Sequence, residues 1–392
     1  MKRDHSGHPK SSTGGWTEIG SEMMVFTPAD HRPSAKVIGF DLDNTLITTK
    51  SGKVLPATTT DWKLLYDYVP KKLKEIHEKG NKVVIFTNQK GIQIGKVDKS
   101  GFKQKISDIL ALIEIPVQVF VSLGPATYRK PYIGMWSYME QNCNEGLPVD
   151  RENSMYVGDA AGRSKSNIRP KKDFTNGDRL FALNLGVAFN TPEQFFEGKI
   201  EEEKHDMPTF KAVDLIKADK ARFEPAVNFT NKKQELIVLV GAPASGKSYL
   251  AEELKIKYGY EIVDSKSLKT WQKMVATTKK LLEQGKNVCV DATHADKESR
   301  ARYVSLAKER KAHCRCFMVN VSPEHAAHNA KFRTIIDKTS SEPARMAVNM
   351  FKSKFKEPTA SEGFNAVVKV NFDPTFDSDE LREIYSLYLV EH

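Results

Sequence analysis

Asp41 and Asp43 stand two residues apart behind an apolar run, in IGFDLDNTL, with Thr45 following. On extended backbone, residues i and i+2 emerge on the same side. Two crowded carboxylates repel unless a cation lies between them, and Mg²⁺ is the natural ion for hard oxygen donors. The chemistry that suits the pair is attack by one carboxylate on phosphorus while the other protonates the leaving oxygen. Asp, Asn and Thr also cap helices, so the D-x-D-x-T string alone leaves a helix N-terminus as its alternative. Three later strings bear on that choice. Thr87 and Asn88 close VVIFTN, where a hydroxyl and strand-end amides can hold a phosphate. Lys130, in YRKP, can neutralise charge developing on a phosphoryl group. Asp159, in YVGDAAGR, can complete a Mg²⁺ shell with Asp41 and Asp43.

A second group of residues lies far downstream. GAPASGKS, from Gly241 to Ser248, follows ELIVLV and opens a helical pattern. It matches G-x-x-x-x-G-K-[ST] in the strand–loop–helix context that the motif requires. Main-chain N–H groups of Gly241, Ser245, Gly246 and their neighbours would cradle phosphates. Lys247 would reach the β and γ oxygens of ATP, and Ser248 would ligate Mg²⁺. Asp291 ends NVCVD, where it can reach Mg²⁺ through water or orient an acceptor. Arg300 and Arg302 follow on a predicted helix, and His328, Lys331 and Arg333 lie in HNAKFR. Arg333 is the candidate lid arginine over the transferred phosphate. Arg300 reads as part of a solvated helix face.

The elements that must position these residues alternate. KVIGFD, NKVVIFTN, PVQVFVSL, SMYVGD and FALNLG read as strands, with helices over 70–79, 101–113 and 133–142 between them. Pro70 suits the start of the first helix and Gly80 its stop. QELIVLV, YEIVD, NVCVD and CRCFMVNV form a second series, with helices over 247–257, 267–284 and 297–311. Such alternation predicts two doubly wound α/β domains with parallel sheets and chemistry at the carboxyl ends of the strands. The expected division is a tail over 1–34, a first domain over 35–200, a polar linker over 201–232 and a second domain over 233–392. Met23 to Phe26 is an apolar patch expected at the edge of the first domain.

The chain has 392 residues, too many for one typical domain. Hydrophobic residues make up 40% and charged residues 28%, which excludes long-range disorder. No run approaches eighteen apolar residues, so no membrane partner is expected, and the N-terminus has no secretory h-region. Four cysteines are too few and too scattered for a disulfide scaffold, and C-x-C in CRCFMV reads as strand rather than metal knuckle. Lys and Arg total 60 against 50 Asp and Glu, a net charge of +10 that points to a polyanionic partner, nucleic acid first.

D-x-D-x-T, a strand-end Thr, a Lys and G-D in that order resemble the haloacid dehalogenase-like phosphatases. With GAPASGKS downstream, the chain resembles the bifunctional polynucleotide kinase 3′-phosphatases of animals and fungi. GFDLDNTLITTKSGKV, VIFTNQKGI, RKPYIGMW, YVGDAAGR, KKDF with DRLFALNLG, SRARY and FKEPTASEGF carry that resemblance. It implies a Rossmannoid phosphatase followed by a P-loop kinase, using Mg²⁺ and ATP on DNA with 3′-phosphate and 5′-OH ends, RNA ends remaining an alternative. It implies a nuclear role in strand-break repair. Asp41 would be the nucleophile and Asp43 the general acid/base, with Thr87, Lys130 and Asp159 completing the site. Asn88, Arg129, Arg163, Asp291 and Arg302 are the expected substrate contacts.

Three departures stand out. The catalytic strings begin within about forty residues of Met1, which leaves no room for the forkhead-associated domain of vertebrate members, so docking of phosphorylated scaffold proteins through it is not expected. Asn44 stands where many relatives have Gly. Lys266, in VDSKSLKTW, stands where the family has its kinase base, and a cationic amine cannot accept the acceptor's proton. Asp264, two residues earlier, is the candidate substitute. Ala292 and His294 also replace Asn residues common in the family. The alternative reading is a 3′-phosphatase whose second domain is a weak kinase or only an ATP- and DNA-binding module. A nucleic-acid-binding scaffold with both sites inert is the third.

Overall fold

The computed structural model describes residues 14–167, 169–199, 204–218, 220–229, 233–337 and 345–392. Residues 1–13 of the expected tail, and 201–203, 219 and 230–232 of the expected linker, lie outside them. The chain forms two compact units, one of 1–208 with 387–392 and one of 209–386.

Along the first unit run β1 (Gly14–Ile19), β2 (Met23–Pro28), β3 (Val37–Phe40), a ribbon of β4 (Ile47–Thr48) and β5 (Lys63–Leu64), then β6 (Lys82–Asn88), β7 (Gln118–Ser122), β8 (Met155–Val157) and β9 (Ala188–Asn190). The main sheet has the order β1-β2-β7-β6-β3-β8-β9. From β7 to β9 every pairing is parallel, and β2 joins β7 antiparallel. Strand β6 shows why the sheet is central. Val83 and Ile85 pack on one face with Leu73, Phe102, Ile106 and Ile109, while Val84 and Phe86 pack on the other with Met135, Trp136 and Phe181. A strand apolar on both faces is the signature of a parallel sheet covered by helices on both sides.

Two expectations for this unit are corrected. FALNLG is not a strand but the end of a helix, Gly177–Leu185, with Leu180, Phe181, Ala182 and Leu185 buried. Gly186 ends that helix in the left-handed conformation, φ 70°, and the strand comes after it, at Ala188–Asn190. A short apolar run reads alike in either element. The boundary at residue 35 also cuts too late. Met23 and Met24 are fully buried in β2, which lies one strand in from the edge with β1 outside it.

Residues 387–392 complete this unit. Asn184 Nδ2 donates to Tyr388 O at 2.8 Å, and Tyr388 N donates back to Asn184 Oδ1 at 2.8 Å. Leu389 is buried, Arg129 Nη2 pairs with Glu391 Oε1 at 3.0 Å, and His392 N donates to Asn176 Oδ1 at 2.8 Å.

The second unit carries β10 (Phe223–Glu224), β11 (Glu235–Val240), β12 (Glu261–Asp264), β13 (Val288–Asp291), β14 (His313–Asn320) and β15 (Ala366–Asn371), in the order β10-β15-β14-β11-β13-β12. All pairings are parallel except that of β10 with β15. Part of the expected linker therefore belongs to this sheet, since Phe223 and Glu224 pair with Val370 and Lys369. The expected helix over 267–284 is two helices, Ser265–Leu268 and Trp271–Glu283. Lys269 breaks them at φ 62°, and Thr270 caps the second through its side-chain oxygen. Arg300 is the reverse of a solvated residue. It is fully buried, with Nε and Nη2 each 2.7 Å from a Glu362 oxygen and Nη1 on the carbonyls of His294 and Ala295. All four cysteines are free thiols.

Candidate active sites

In the first unit the polar residues gather at the carboxyl ends of β3, β6 and β8. Asp41 N donates to Val157 O at 2.9 Å, which anchors the loop after β3 beside the end of β8. Lys130 lies buried at the centre. Its Nζ donates to Asp41 Oδ1 at 2.6 Å, Asp178 Oδ1 at 2.7 Å and Tyr156 Oη at 2.6 Å, so all three ammonium protons are engaged. Asn88 Oδ1 accepts from Lys130 N at 3.0 Å and Asn88 Nδ2 donates to Lys130 O at 3.2 Å. That clasp fixes the Lys130 backbone and ties the Asn88 amide, an expected substrate contact, to it. Asp159 N donates to Thr45 Oγ1 at 3.1 Å. Gln89 Nε2 bridges Thr87 Oγ1 at 2.9 Å and Asp43 Oδ2 at 2.8 Å.

Carboxylate oxygens of Asp41, Asp159 and Asp178 lie within 4.8 Å of one another. Burial pushes the Asp41 carboxyl up to about 7, with Lys130 opposing and Asp178 adding. Burial, then Asp41 and Asp178, drives Asp159 well above the usual carboxylate range. Burial alone would lower Lys130, but Asp178 and Asp41 outweigh it and keep the ammonium charged. One lysine against three carboxylates leaves a deficit of positive charge. A set of hard oxygen donors with that deficit fits Mg²⁺.

The cluster contains Asp178 where the sequence reading placed the Asp43 carboxylate. Strand β3 stops at Phe40, before either aspartate, so the extended backbone on which the same-side geometry was expected does not reach the pair. Asp43 instead takes Lys105 Nζ at 3.2 Å on Oδ1 and Gln89 on Oδ2. Asp178 was missed because FALNLG was read as a strand. Read as a helix, the apolar spacing Leu180, Phe181, Leu185 places Asp178 in its first turn, beside the strand ends. Arg163, an expected substrate contact, is held within the protein. It is buried, with Nε on Asp173 at 2.7 Å and Nη1 on Glu193 at 2.8 Å. Arg129 is occupied by Glu391.

In the second unit the loop GAPASGKS joins β11 to the helix Lys247–Tyr258. Gly246 caps that helix at φ 98°, where a Cβ would sit 3.2 Å from the Phe372 ring. A cavity of about 660 Å³ opens over the loop, lined among others by Ser245, Lys247, Ser248, Lys266, Asp291 and Arg333. Lys247 Nζ donates to Ala242 O at 2.6 Å, and burial, with Lys266 adding, lowers its pKa to about 8. Ser248 Oγ donates to Asp291 Oδ2 at 2.6 Å. That pairs Asp291 with the residue expected to ligate Mg²⁺, and a hydroxyl beside a carboxylate is a donor set that fits Mg²⁺.

Asp264 does not enter the cavity as a substitute base. Strand β12 ends there and the helix Ser265–Leu268 begins, with Asp264 Oδ1 accepting from Lys266 N and Ser267 N, both at 2.9 Å. The Ser267 N–H first, then its hydroxyl and Lys266 N, hold this carboxyl below its usual range. Arg302 also stands apart, stacked 4.1 Å over Trp271 and paired with Glu298 at 3.1 Å. His328 is buried with Nε2 2.9 Å from Tyr385 O, and His294 has Nδ1 2.7 Å from Leu239 O, so both are tied within the fold. Asn329 was missed. It lines the cavity, one helical turn before Arg333 and so on the same face, and takes a hydrogen bond from Tyr385 Oη at 2.6 Å. No described helix is long and apolar enough to cross a membrane.

Comparison with known proteins agrees with both halves. Residues 36–196 match the family described as polynucleotide kinase 3 phosphatase, and residues 263–358 match an AAA domain family. A bifunctional polynucleotide phosphatase/kinase of Schizosaccharomyces pombe is 36% identical over 345 residues, 87% of this chain and 81% of that one. A chain of Acanthamoeba polyphaga mimivirus whose name gives the same two activities is 31% identical over 387 residues, 91% of this chain and 90% of its own. The polynucleotide 3′-phosphatase ZDP of Arabidopsis thaliana is 36% identical over 191 residues, 45% of this chain and 26% of its own. An α/β unit with a lysine-centred carboxylate site, followed by a P-loop unit, in a chain so similar along most of its length, belongs to the bifunctional polynucleotide phosphatase/kinase family.

Proposed function

We propose that the chain prepares DNA ends for strand-break repair, removing 3′-phosphate and phosphorylating 5′-OH ends with ATP. The observation that carries the reading is the Lys130 bridge between Asp41 and Asp178, in a chain that also holds a P-loop cavity. In the phosphatase half, an Asp41 oxygen attacks phosphorus and the P–O3′ bond breaks. Asp43 passes its proton to the departing 3′-oxygen. Water then attacks the aspartyl-phosphate, the Asp41 O–P bond breaks, and Asp43 takes a proton back from that water. Lys130 balances charge on the phosphoryl oxygens. Asp41, Asp159 and Asp178 would hold Mg²⁺, which supplies Lewis-acid stabilisation of the same oxygens.

In the kinase half, loop amides and Lys247 hold the ATP phosphates, Ser248 and Asp291 would hold Mg²⁺, and Arg333 reaches over the transferred group. The surplus of +10 suits a nucleic-acid substrate. A nuclear location goes with repair and is tested by imaging a tagged full-length chain. One specific observation favours a second reading, a slow kinase or an ATP-holding module. Lys266 lines the cavity while Asp264 is spent on a helix cap.

The test is a paired assay on an oligonucleotide bearing 5′-OH and 3′-phosphate, with Mg²⁺ and ATP, and on its RNA counterpart. Loss of 3′-phosphate and gain of 5′-phosphate on DNA support the first reading. Loss of 3′-phosphate with 5′ transfer no faster than a Lys247→Ala variant supports the second. Retention of both ends overturns both.

A further inference from the structure

The helix Lys99–Ile113 turns Phe102, Ile106, Ile109, Leu110 and Ile113 into the core, and Lys105 goes with them. Its side chain is 6% exposed. A lysine on an apolar face breaks the pattern that otherwise builds this helix, and such breaks mark positions where something other than packing sets the residue. The stem passes Phe102, with Nζ 5.8 Å from the ring centre, and the ammonium ends 3.2 Å from Asp43 Oδ1. Among the described residues, Asp43 is its ion-pair partner. The other Asp43 oxygen is held by Gln89 at 2.8 Å, and Gln89 is held in turn by Thr87.

We infer that Lys105 is a positioning residue of the phosphatase reaction, holding the Asp43 carboxyl so that a lone pair taken by neither Lys105 nor Gln89 faces the departing 3′-oxygen. The Asp43 side chain is 43% exposed and would otherwise turn freely about its own bonds. Two donors hold it, Lys105 on Oδ1 and Gln89 on Oδ2. Neither can accept a hydrogen bond through the atom it offers, so proton exchange at Asp43 uses a lone pair that they leave open. Lys105 itself touches no reacting atom. Helix packing alone does not require it, since methionine fills the same space.

This inference rests on the reading of Asp43 as proton donor, and the experiment separates the two. A 3′-alkoxide needs a proton to leave, whereas 4-nitrophenolate does not. The full chain is assayed with Mg²⁺ on a 3′-phosphorylated oligonucleotide and on p-nitrophenyl phosphate, comparing kcat/KM, which covers the step in which the first group departs. Asp43→Asn should lose about 10²–10⁴-fold on the oligonucleotide and far less on p-nitrophenyl phosphate. Lys105→Met should lose about tenfold on the oligonucleotide and stay within about twofold on p-nitrophenyl phosphate, with Lys105→Arg restoring most of the loss. Equal losses on both substrates for Lys105→Met, alongside the selective loss for Asp43→Asn, would overturn the role of Lys105. Equal losses for Asp43→Asn would overturn the reading of Asp43 itself. If the Met variant fails to unfold cooperatively, Lys105→Gln, which loses the charge and keeps a polar head on a shorter stem, takes its place under the same criteria.

Discussion

Lys130 and Lys247 are both buried lysines at the carboxyl end of a parallel sheet, yet they are satisfied in different ways. Lys130 meets two carboxylates and a phenol, while Lys247 rests on the carbonyl of Ala242. The first arrangement keeps its ammonium charged against burial, and the second lets burial lower the pKa to about 8. The contrast follows from where each reaction finds its nucleophile. In the proposed reaction the phosphatase supplies its own, Asp41, so charge and countercharge can be built into one network. A kinase receives both reactants from solution, so its cavity holds donors in temporary bonds that arriving phosphates replace. A site built for external reactants therefore shows less of its chemistry in the bare chain.

The sharpest way to break the comparison is Asp41→Asn. An amide is a poor nucleophile, so 3′-phosphatase activity should fall by roughly 10⁴-fold or more while kinase activity persists, as measured by end-labelled oligonucleotides. Parallel loss of both activities would mean that the sites are not independent. Next in size is Lys266→Asp. Placing a carboxylate where Lys266 lines the cavity should raise the 5′-kinase kcat by about 10²-fold, the lower range of general-base help. A fall instead would assign Lys266 to phosphate binding and make the second site as complete as the first.

A third measurement uses pH. With its pKa raised from 3.8 to about 7, Asp41 keeps its proton in the folded chain over a range where the unfolded chain has lost it. The stability this represents is fully present below 3.8 and is lost as pH rises through about 7. Without divalent ions, Asp41→Asn should therefore match wild type near pH 4 and exceed it at pH 8 by several degrees in Tm, at roughly 2–4 °C per kcal/mol. Added Mg²⁺ should stabilise wild type and leave the variant nearly unmoved. A Tm difference independent of pH would remove the electrostatic contrast between the two lysine sites. The smallest effect belongs to Arg302→Ala. Loss of its stack on Trp271 should cost about 0.5–1 kcal/mol in urea unfolding and leave the oligonucleotide KM unchanged. A severalfold rise in KM would return Arg302 to the acceptor side.

Much of this architecture was legible in the residues. Alternating apolar runs gave both parallel sheets, and D-x-D-x-T, YRKP, YVGD and GAPASGKS mark four of the loops where charge collects. What escaped has physical causes. Asp178 was hidden because FALNLG is apolar enough to pass for a strand, and only Gly186 at positive φ shows where the helix stops. Asp264 looked like a base on the assumption of continuing strand, but Asp before Ser-Lys-Ser is also a helix cap, and the cap prevails. Arg163 reads as a substrate contact and Arg300 as solvent-facing until their partners, Asp173 and Glu362, arrive from more distant sequence. Lys105 gave a signal, a lysine on an apolar face, that only its neighbour Asp43 explains.

The hold of Leu389, Tyr388 and Glu391 on the first unit has a consequence for how the protein is made. Synthesis runs from the N-terminus, so residues 1–208 leave the ribosome while the seat of Leu389 and the amide of Asn184 still await their partners. All of 209–386 must be translated first, a wait on the order of ten to forty seconds at about 5–20 residues per second. During that interval the loop bearing Arg129 and Lys130 and the helix start bearing Asn176 and Asp178 lack their outer fastening. A nascent chain would thus fasten these two site-bearing segments only after its kinase half has emerged.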